Sequence, residues 1–212
     1  YGSAVCFSEL GYFLTNAHNL VYEKDQEETT FDVVKIRFAD TEEYEDVCVV
    51  AYDTSVDLAI IKYSGTHKLN ALKINDDYAT GDRCFAIGNA QNFGISIAEG
   101  NISKKETIVE SGGKTRSAIQ CDINITDGNS GGALVNKNGD LIGITTFRTK
   151  DVYNNIIGLN DTIDFLVAKR KLIASQYNQI QSEIFELEKE RRTEEQQLSF
   201  FDNVESFIEY TV

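Results

Sequence analysis

The chain has 212 residues and a formal net charge of −14, from 34 acidic and 20 basic residues. This acidity disfavours nucleic acid and anionic membranes as partners, and it is compatible with protein or cationic peptide substrates. The length suits one two-lobed domain plus an appendage, and no stretch is long and apolar enough to be a transmembrane helix.

Short strand-like runs recur along residues 1–160, separated by turn signals such as Ser111-Gly112-Gly113 and Asn136-Lys137-Asn138-Gly139. Many short strands without long intervening helices predict an all-β domain of two packed antiparallel barrels. We place lobe one at about residues 1–70 and lobe two at about residues 78–160.

Two residues of lobe one are candidate catalytic groups. His18 follows an apolar run that breaks into small and polar residues, and Asp57 precedes the apolar run Leu58-Ala59-Ile60-Ile61. A carboxylate at the start of such a strand needs a partner if it is buried. A structural histidine and a turn aspartate are the alternative interpretations. The other histidine, His67, lies in a polar loop and is interpreted as a surface residue.

In lobe two, Ser130 lies within Asp127-Gly128-Asn129-Ser130-Gly131-Gly132, directly before Ala133-Leu134-Val135. The surrounding glycines allow a tight turn and the close approach of a substrate carbonyl. Such a turn suits a nucleophile whose neighbouring N–H groups face a developing oxyanion. A hairpin turn with an incidental serine is the alternative, because glycine-rich turns before strands are common.

These segments, in the order His, Asp, Ser, resemble the trypsin-like (chymotrypsin-fold) serine endopeptidases, and most of all the HtrA/Deg branch. The motifs that carry the resemblance are Thr15-Asn16-Ala17-His18, Asp57-Leu58-Ala59-Ile60-Ile61 and Gly128-Asn129-Ser130-Gly131-Gly132-Ala133-Leu134-Val135-Asn136. Supporting matches are Tyr1-Gly2-Ser3-Ala4-Val5, Ile87-Gly88-Asn89 and Ile97-Ala98-Glu99-Gly100-Asn101-Ile102-Ser103. The resemblance covers roughly residues 1–168.

The resemblance implies a catalytic triad of His18, Asp57 and Ser130. It also implies an oxyanion hole formed by the N–H groups of Gly128 and Ser130, with the N–H of Asn129 lining the turn. The expected reaction passes through an acyl-enzyme on Ser130, and it requires no metal or organic cofactor.

A substrate pocket follows from the same resemblance, with the residues Asn124, Thr145, Thr146, Phe147 and Arg148. Asn124 matches the pocket floor, where trypsin has aspartate, so a preference for Arg or Lys is disfavoured. Arg148 replaces the small residue usual at the pocket rim, and it either narrows the pocket, selects an acidic P1 residue or points to solvent. We expect a neutral, small or medium P1 residue.

Four cysteines, Cys6, Cys48, Cys84 and Cys121, lie on separate predicted strands. Asn19 and Thr126 stand where many secreted trypsin-like enzymes have bridging cysteines. We therefore expect buried free thiols and a cytoplasmic location, with a periplasmic or secreted location left open.

Residues 161–212 are predicted to form a C-terminal helical extension. Leu159, Leu166, Ile173, Ile180 and Leu187 recur every seven residues with charged flanks, which predicts a long amphipathic α-helix or a short coiled coil. Packing on its own barrel accounts for residues 162–174, and the apolar stripe beyond them suggests a homo-oligomer or a protein partner. The remaining length is too short for the PDZ domain that HtrA relatives commonly carry.

Together these features predict a serine endopeptidase regulated by oligomerisation or by a partner bound through the C-terminal helix. One alternative is a catalytically silent protease-fold module that uses its cleft for recognition. Another is a proteolytic subunit of a larger cytoplasmic assembly.

Overall fold

The computed structural model describes residues 1–25, 27–111, 114–148 and 154–158, together with Lys189 and Arg191. The chain divides into two compact units, Tyr1–Leu166 and Val167–Val212. All the strands described below belong to the first unit. Within the described part of the chain, no helix has the length and apolarity needed to cross a membrane.

Lobe one is built on an open, antiparallel five-stranded sheet with the strand order β1-β2-β7-β6-β5. Its strands are β1 (Val5–Ser8), β2 (Tyr12–Thr15), β5 (Val34–Ile36), β6 (Glu45–Asp53) and β7 (Leu58–Tyr63). A separate hairpin consists of β3 (Val21–Lys24) and β4 (Glu27–Thr30). The residues of this hairpin are mostly charged or polar, which explains why it stands apart from the apolar sheet.

The expectation of a closed barrel in lobe one was therefore wrong. Among the described strands, β1 pairs only with β2 and β5 pairs only with β6, so both remain edges of a half-barrel. The strand β5 is only three residues long, and the hairpin β3–β4 pairs within itself. Neither element supplies the pairing that would close the sheet.

Lobe two is a closed antiparallel barrel with the strand order β10-β13-β12-β11-β8-β9. The strands are β8 (Arg83–Gly88), β9 (Ser96–Ser111), β10 (Lys114–Cys121), β11 (Ala133–Asn136), β12 (Leu141–Arg148) and β13 (Asn154–Gly158). The predicted all-β architecture is thus confirmed, with one closed barrel instead of two.

A shared apolar core holds the two lobes together. Side chains of β1, β2 and β7 (Val5, Leu14, Leu58 and Ile60) pack with side chains of β11 and β12 (Ala133, Val135, Leu141 and Ile144) in one buried cluster. The burial of these side chains is the main favourable term that fixes the lobes relative to each other. Because β2 ends just before His18, β7 begins just after Asp57 and β11 begins just after the serine turn, this core also positions the candidate site.

The four cysteines are free thiols, but the expectation that they are buried holds only for Cys84 and Cys121. Cys84 and Cys121 are buried in the barrel of lobe two with their sulfur atoms 3.8 Å apart, whereas Cys6 is half-buried and Cys48 is exposed. The hydrogen bond to Cys84 and burial raise the pKa of the Cys121 thiol far above its ordinary value. This thiol therefore stays protonated and is a poor nucleophile.

The predicted C-terminal helix falls almost entirely outside the described residues. Lys189 and Arg191 are described, and both have helical backbone. The remaining residues of the predicted extension, and with them the coiled coil, lie outside the described part of the chain.

Candidate active site

The structure brings His18 and Asp57 together at the edge of lobe one. β2 ends at Thr15, and a short 3₁₀ turn over Ala17–Asn19 carries His18. The two carboxylate oxygens of Asp57 both bind this residue: Oδ2 lies 2.8 Å from His18 Nδ1, and Oδ1 accepts the His18 backbone N–H at 3.0 Å. The Asp57 residue is only 6% exposed, whereas the His18 side chain is about half exposed, at 49%.

This pairing sets the proton positions on the imidazole ring. An ionised carboxylate only accepts hydrogen bonds, so Nδ1 of His18 must be the donor in the contact with Asp57. The other ring nitrogen, Nε2, is then unprotonated in the neutral imidazole and is available as a base. The half-exposed ring is consistent with an Nε2 that a reacting group can reach.

The turn around Ser130 leaves two backbone donors unused. Asn129 N–H donates to the Thr126 carbonyl at 3.1 Å, Gly131 N–H to Thr145 at 2.8 Å and Gly132 N–H to Asn129 at 2.9 Å. Within the described part of the chain, the N–H groups of Gly128 and Ser130 have no such acceptor. Two neighbouring donors left free in an otherwise bonded turn are available to a ligand such as an anionic oxygen.

Asn129, expected to line the turn beside the oxyanion hole, has its N–H turned inward. Its N–H group is already bonded inside the turn, to Thr126, so it is not available to a ligand. The φ angle of Gly128 is positive, 94°, a conformation that glycine adopts freely. Gly128 and Ser130 therefore remain the two candidate donors.

The Ser130 hydroxyl is bound to the main chain of β12. Its Oγ donates to the Thr146 carbonyl at 3.0 Å, and among the described residues no hydrogen bond joins it to His18. The Ser130 carbonyl accepts from Asn19 Nδ2 at 3.0 Å, which places the serine beside the turn that carries His18. The hydroxyl proton must leave this bond before Ser130 can pass it to a base, and hydrogen bonds of catalytic groups often rearrange when substrate binds to a ligand-free site.

The residues expected to form the substrate pocket have different environments. Asn124 is exposed, so it does not form a buried floor. Thr145 and Thr146 are buried, at 0% and 3% exposed, and their hydroxyls bind backbone carbonyls: Thr145 those of Asn129 and Gly132, Thr146 that of Ile144. Both side chains therefore support the serine turn and the strand β12. Phe147 and Arg148 belong to β12, but their side chains lie outside the described part of the structure.

Two further residues organise the site, and the sequence analysis assigned no role to either. Asn16 Nδ2 donates to the Asp57 carbonyl at 2.8 Å and to Thr146 Oγ1 at 3.1 Å, which joins the two lobes. Ser3 contacts both Gly128 and Ser130. Both residues lie within motifs that carry the family resemblance, and that membership is the sequence signal that could have singled them out.

The fold is of the chymotrypsin-like type, with a histidine–aspartate pair in lobe one and a serine on a glycine turn directly before β11 of lobe two. Residues 2–144 match the family model described as the trypsin-like peptidase domain, and the chain belongs to this family.

Similar proteins come from the HtrA group. The chain is 36% identical over 172 residues to the serine endoprotease DegS of Haemophilus influenzae, covering 79% of this chain and 47% of that protein. It is 35% identical over 148 residues to the periplasmic serine endoprotease DegP of Escherichia coli, covering 68% of this chain and 29% of that protein. A solved structure of the HtrA-type protease AlgW with a decapeptide is similar, with a TM-score of 0.68, 31% identity and coverage of 80% of this chain and 51% of that one. The chain thus spans less than half the length of these curated relatives.

Proposed function

We propose that this chain is the proteolytic part of a serine endopeptidase, with Ser130 as nucleophile, His18 as general base and acid, and Asp57 as the residue that orients the imidazole. The observation that carries the proposal is a pair of free N–H groups in the serine turn, those of Gly128 and of Ser130 itself, in a chain that also holds the His18–Asp57 pair.

The proposed reaction begins when Ser130 Oγ leaves the Thr146 carbonyl and turns to His18 Nε2. His18 removes the hydroxyl proton while Oγ attacks the scissile carbonyl, and the Gly128 and Ser130 N–H groups bind the resulting oxyanion. His18 then protonates the leaving amine. A water molecule repeats the sequence on the acyl-enzyme, and the Asp57 carboxylate stabilises the imidazolium formed in both steps.

Protein or peptide chains are the proposed substrates, in line with the relatives named as endoproteases and with the peptide bound to AlgW. The preference for a neutral, small or medium P1 residue stays a prediction, because the side chains of Phe147 and Arg148 are not among those described. A cleavage profile on a peptide library tests it, and a profile dominated by Glu or Asp at P1 would contradict it.

Regulation through the C-terminal extension is part of the proposal. The heptad pattern of residues 159–187 supports a helix that joins copies of the chain or binds a partner. Analytical ultracentrifugation of the full chain and of a chain ending at residue 160 tests this idea. The idea would be contradicted if both chains had the same number of copies per particle and the same activity, and if cross-linking recovered no partner.

For location, the relatives point away from the cytoplasm, since DegP is named a periplasmic enzyme. We propose a periplasmic location in place of the cytoplasmic expectation. Fractionation of the source cells tests this assignment.

A fluorophosphonate probe tests the catalytic proposal, because it labels only an activated serine. We expect the full chain to be labelled and to cleave casein, and we expect Ser130→Ala and His18→Ala to abolish both signals. Ser64→Ala, which removes an exposed hydroxyl far from the turn in sequence, is the matched control and should leave labelling intact. Peptide binding without labelling, in every oligomeric state, would instead establish the alternative of a silent recognition module.

A further inference from the structure

We propose that Ser3 is a positioning residue for the oxyanion hole: its hydroxyl holds the Gly128–Asn129 peptide plane, which lies between the two planes that carry the Gly128 and Ser130 N–H groups, and so limits how far these donors can turn. This inference rests on the proposed function and adds a role for a residue at the start of lobe one.

Ser3 makes four hydrogen bonds around the serine turn. Its hydroxyl donates to the Gly128 carbonyl at 2.6 Å and accepts the Asn89 N–H at 2.8 Å. Its backbone N–H donates to the Ser130 carbonyl at 2.8 Å, and its carbonyl accepts the Thr15 hydroxyl at 2.7 Å. A single residue therefore binds the carbonyls of both residues whose N–H groups are free.

These contacts matter because Gly128 is the least constrained residue of the turn. Its φ of 94° lies in the region that glycine enters freely, so its flanking peptide planes rotate easily unless something holds them. In a trans peptide the N–H and the C=O point in opposite directions, so holding one fixes the other. The Asp127–Gly128 plane is held through the Asp127 carbonyl, which accepts the Gln91 N–H at 2.7 Å. The next plane, Gly128–Asn129, is held at its carbonyl by the Ser3 hydroxyl and at its N–H by the Thr126 carbonyl. It lies between the planes that carry the Gly128 and Ser130 N–H groups, so its orientation limits theirs.

The Ser3 hydroxyl also supports the hydrogen bond between the Gln91 N–H and the Asp127 carbonyl. Asn89, whose N–H binds Ser3 Oγ, begins the short segment that carries the Gln91 N–H to Asp127. Gln91 and Asn92 both have left-handed backbones, with φ of 53° and 60°, a costly conformation that surrounding contacts must maintain. Loss of the Ser3 hydroxyl would leave the Gly128–Asn129 plane held by the Asn129–Thr126 bond alone, and it would loosen the segment that holds the Asp127 carbonyl.

A merely structural role for Ser3 predicts something different. A bond that only stabilises the fold would change the unfolding temperature, and it would not discriminate between ligands that use the oxyanion hole and ligands that do not. A positioning role affects the stability of the transition state, where the oxyanion forms, and leaves the affinity for bound peptide in the ground state unchanged.

The experiment uses the full chain with three substitutions: Ser3→Ala removes the hydroxyl, Ser3→Thr keeps it, and Ser96→Ala is the matched control. Ser96 Oγ binds the Gly88 carbonyl nearby and does not touch the turn. Turnover of a peptide substrate is measured together with the binding of a peptide aldehyde, whose adduct with Ser130 carries an oxyanion, and of the corresponding peptide alcohol, which forms no adduct.

For Ser3→Ala we expect kcat to fall by about 10- to 100-fold, somewhat less than the loss of a whole oxyanion donor. Aldehyde affinity should fall in parallel, while KM and alcohol affinity change by less than about threefold. Ser3→Thr should recover most of the loss, and Ser96→Ala should behave as wild type. An unchanged kcat in Ser3→Ala, or equal losses for aldehyde and alcohol, would overturn the inference.

A readout independent of turnover separates this inference from the proposed function. In the chain labelled with ¹⁵N-glycine, Ser3→Ala should broaden or shift the Gly128 amide resonance, and Ser96→Ala should not. An inactive wild-type chain in which Ser3→Ala still perturbs Gly128 would refute the proposed function and support the positioning role. If the wild-type chain is active and Ser3→Ala changes neither the Gly128 amide resonance nor kcat, the positioning role alone is refuted.

Discussion

The backbone of Asp57 is left-handed, with φ of 57°, at the point where the chain enters the buried strand β7. Such a conformation costs roughly 1–3 kcal/mol in a residue other than glycine, so other contacts must hold it in place. Here the Asp57 carbonyl is bound by Asn16, and both carboxylate oxygens are bound by His18. The acid is therefore fixed before any substrate arrives.

Replacing this carboxylate by an amide should disable the histidine. Both oxygens of Asp57 accept a hydrogen bond from His18. In Asp57→Asn the amide oxygen can still accept the backbone N–H, but the NH2 group then donates to Nδ1, which fixes the tautomer with the proton on Nε2 and removes the base. We expect kcat to fall by about 10³- to 10⁴-fold with little change in KM. Asp46→Asn, which alters an exposed ion pair with Lys35, is the control. Steady-state kinetics measures the effect, and a loss below tenfold for Asp57→Asn contradicts it.

Gly131 should tolerate no side chain. A Cβ there would lie 2.1 Å from the Ser3 carbonyl oxygen and 2.3 Å from the Thr15 hydroxyl, with φ at +88°. Gly139 has a similar φ of +83° and no atom within 4 Å of the same position, so it is a matched control. We expect Gly139→Ala to lower the free energy of unfolding by about 1–2 kcal/mol and Gly131→Ala by at least about 3 kcal/mol. Urea denaturation measures both, and equal losses would show that the close contact is unimportant.

Single residues with strong local signals could be predicted from the sequence. Ser130 lies between glycines before an apolar strand, and Asp57 precedes an apolar strand in which an unpaired charge is costly. The role of Ser3 could not be predicted in this way, because its hydroxyl bonds to Gly128, 125 residues away. The environments of Thr145 and Thr146 were also missed, since a bulge between Thr145 and Phe147 breaks the alternation of β12.

At the scale of elements, strand β10 of lobe two supports the loop that precedes Asp57 in lobe one. Arg116 is half-buried and donates through Nε to the Ser55 carbonyl at 3.0 Å and through Nη2 to the Thr54 carbonyl at 2.9 Å. Lys114 on the same strand donates to the Thr54 hydroxyl at 2.6 Å. The guanidinium binds two successive carbonyls at once, so it restrains the direction in which the chain reaches Asp57.

Removal of this guanidinium should affect both stability and turnover. For Arg116→Ala we expect a loss of about 1–2 kcal/mol in the free energy of unfolding and a fall in kcat of about three- to tenfold as the Asp57 loop loosens. Arg116→Lys should not restore kcat, because an ammonium group lacks the planar fork that binds two carbonyls. Arg83→Ala, which removes an exposed ion pair with Glu99, serves as control. Full activity in Arg116→Ala would show that the loop holds its shape unaided.

The two sheets show what strand patterns do and do not determine. Short apolar runs and turn signals were enough to predict an all-β domain, because each strand is specified by its own residues. Closure of a sheet into a barrel is not specified by any one strand, because it requires the two edge strands to pair. In lobe one the edge strands β1 and β5 have no second partner among the described strands. The separate hairpin β3–β4 has an aromatic contact of its own: Tyr22 of β3 stacks on Phe31, which directly follows β4, with ring centroids 4.9 Å apart.

At the scale of the whole molecule, the link between the lobes is attached to the second barrel. Lys73 and Asn75 exchange backbone hydrogen bonds with Leu141 at the start of β12, at 2.8 and 3.1 Å. Beside them, Asn75 Nδ2 donates to a carboxylate oxygen of Asp140 at 2.7 Å. This contact joins the segment that leaves lobe one to the β11–β12 turn of lobe two, so it bears on how the domain as a whole responds to acid.

The hydrogen bond from Asn75, with the nearby charge of Lys73, lowers the pKa of Asp140 below its ordinary value. A carboxyl whose pKa is lowered by folding contributes stability above its unfolded-state pKa of about 3.9, and this contribution is lost as the pH falls through the folded-state value. Asp140→Asn should therefore lower the unfolding temperature near neutral pH and flatten its decline in acid, so that the two curves converge below the lowered pKa. Thermal unfolding followed by circular dichroism between neutral pH and strong acid measures this, with the exposed Asp32→Asn as control. Parallel curves for wild type and Asp140→Asn would mean that Asp140 binds Asn75 equally well when protonated, and that the acid sensitivity of the domain originates elsewhere.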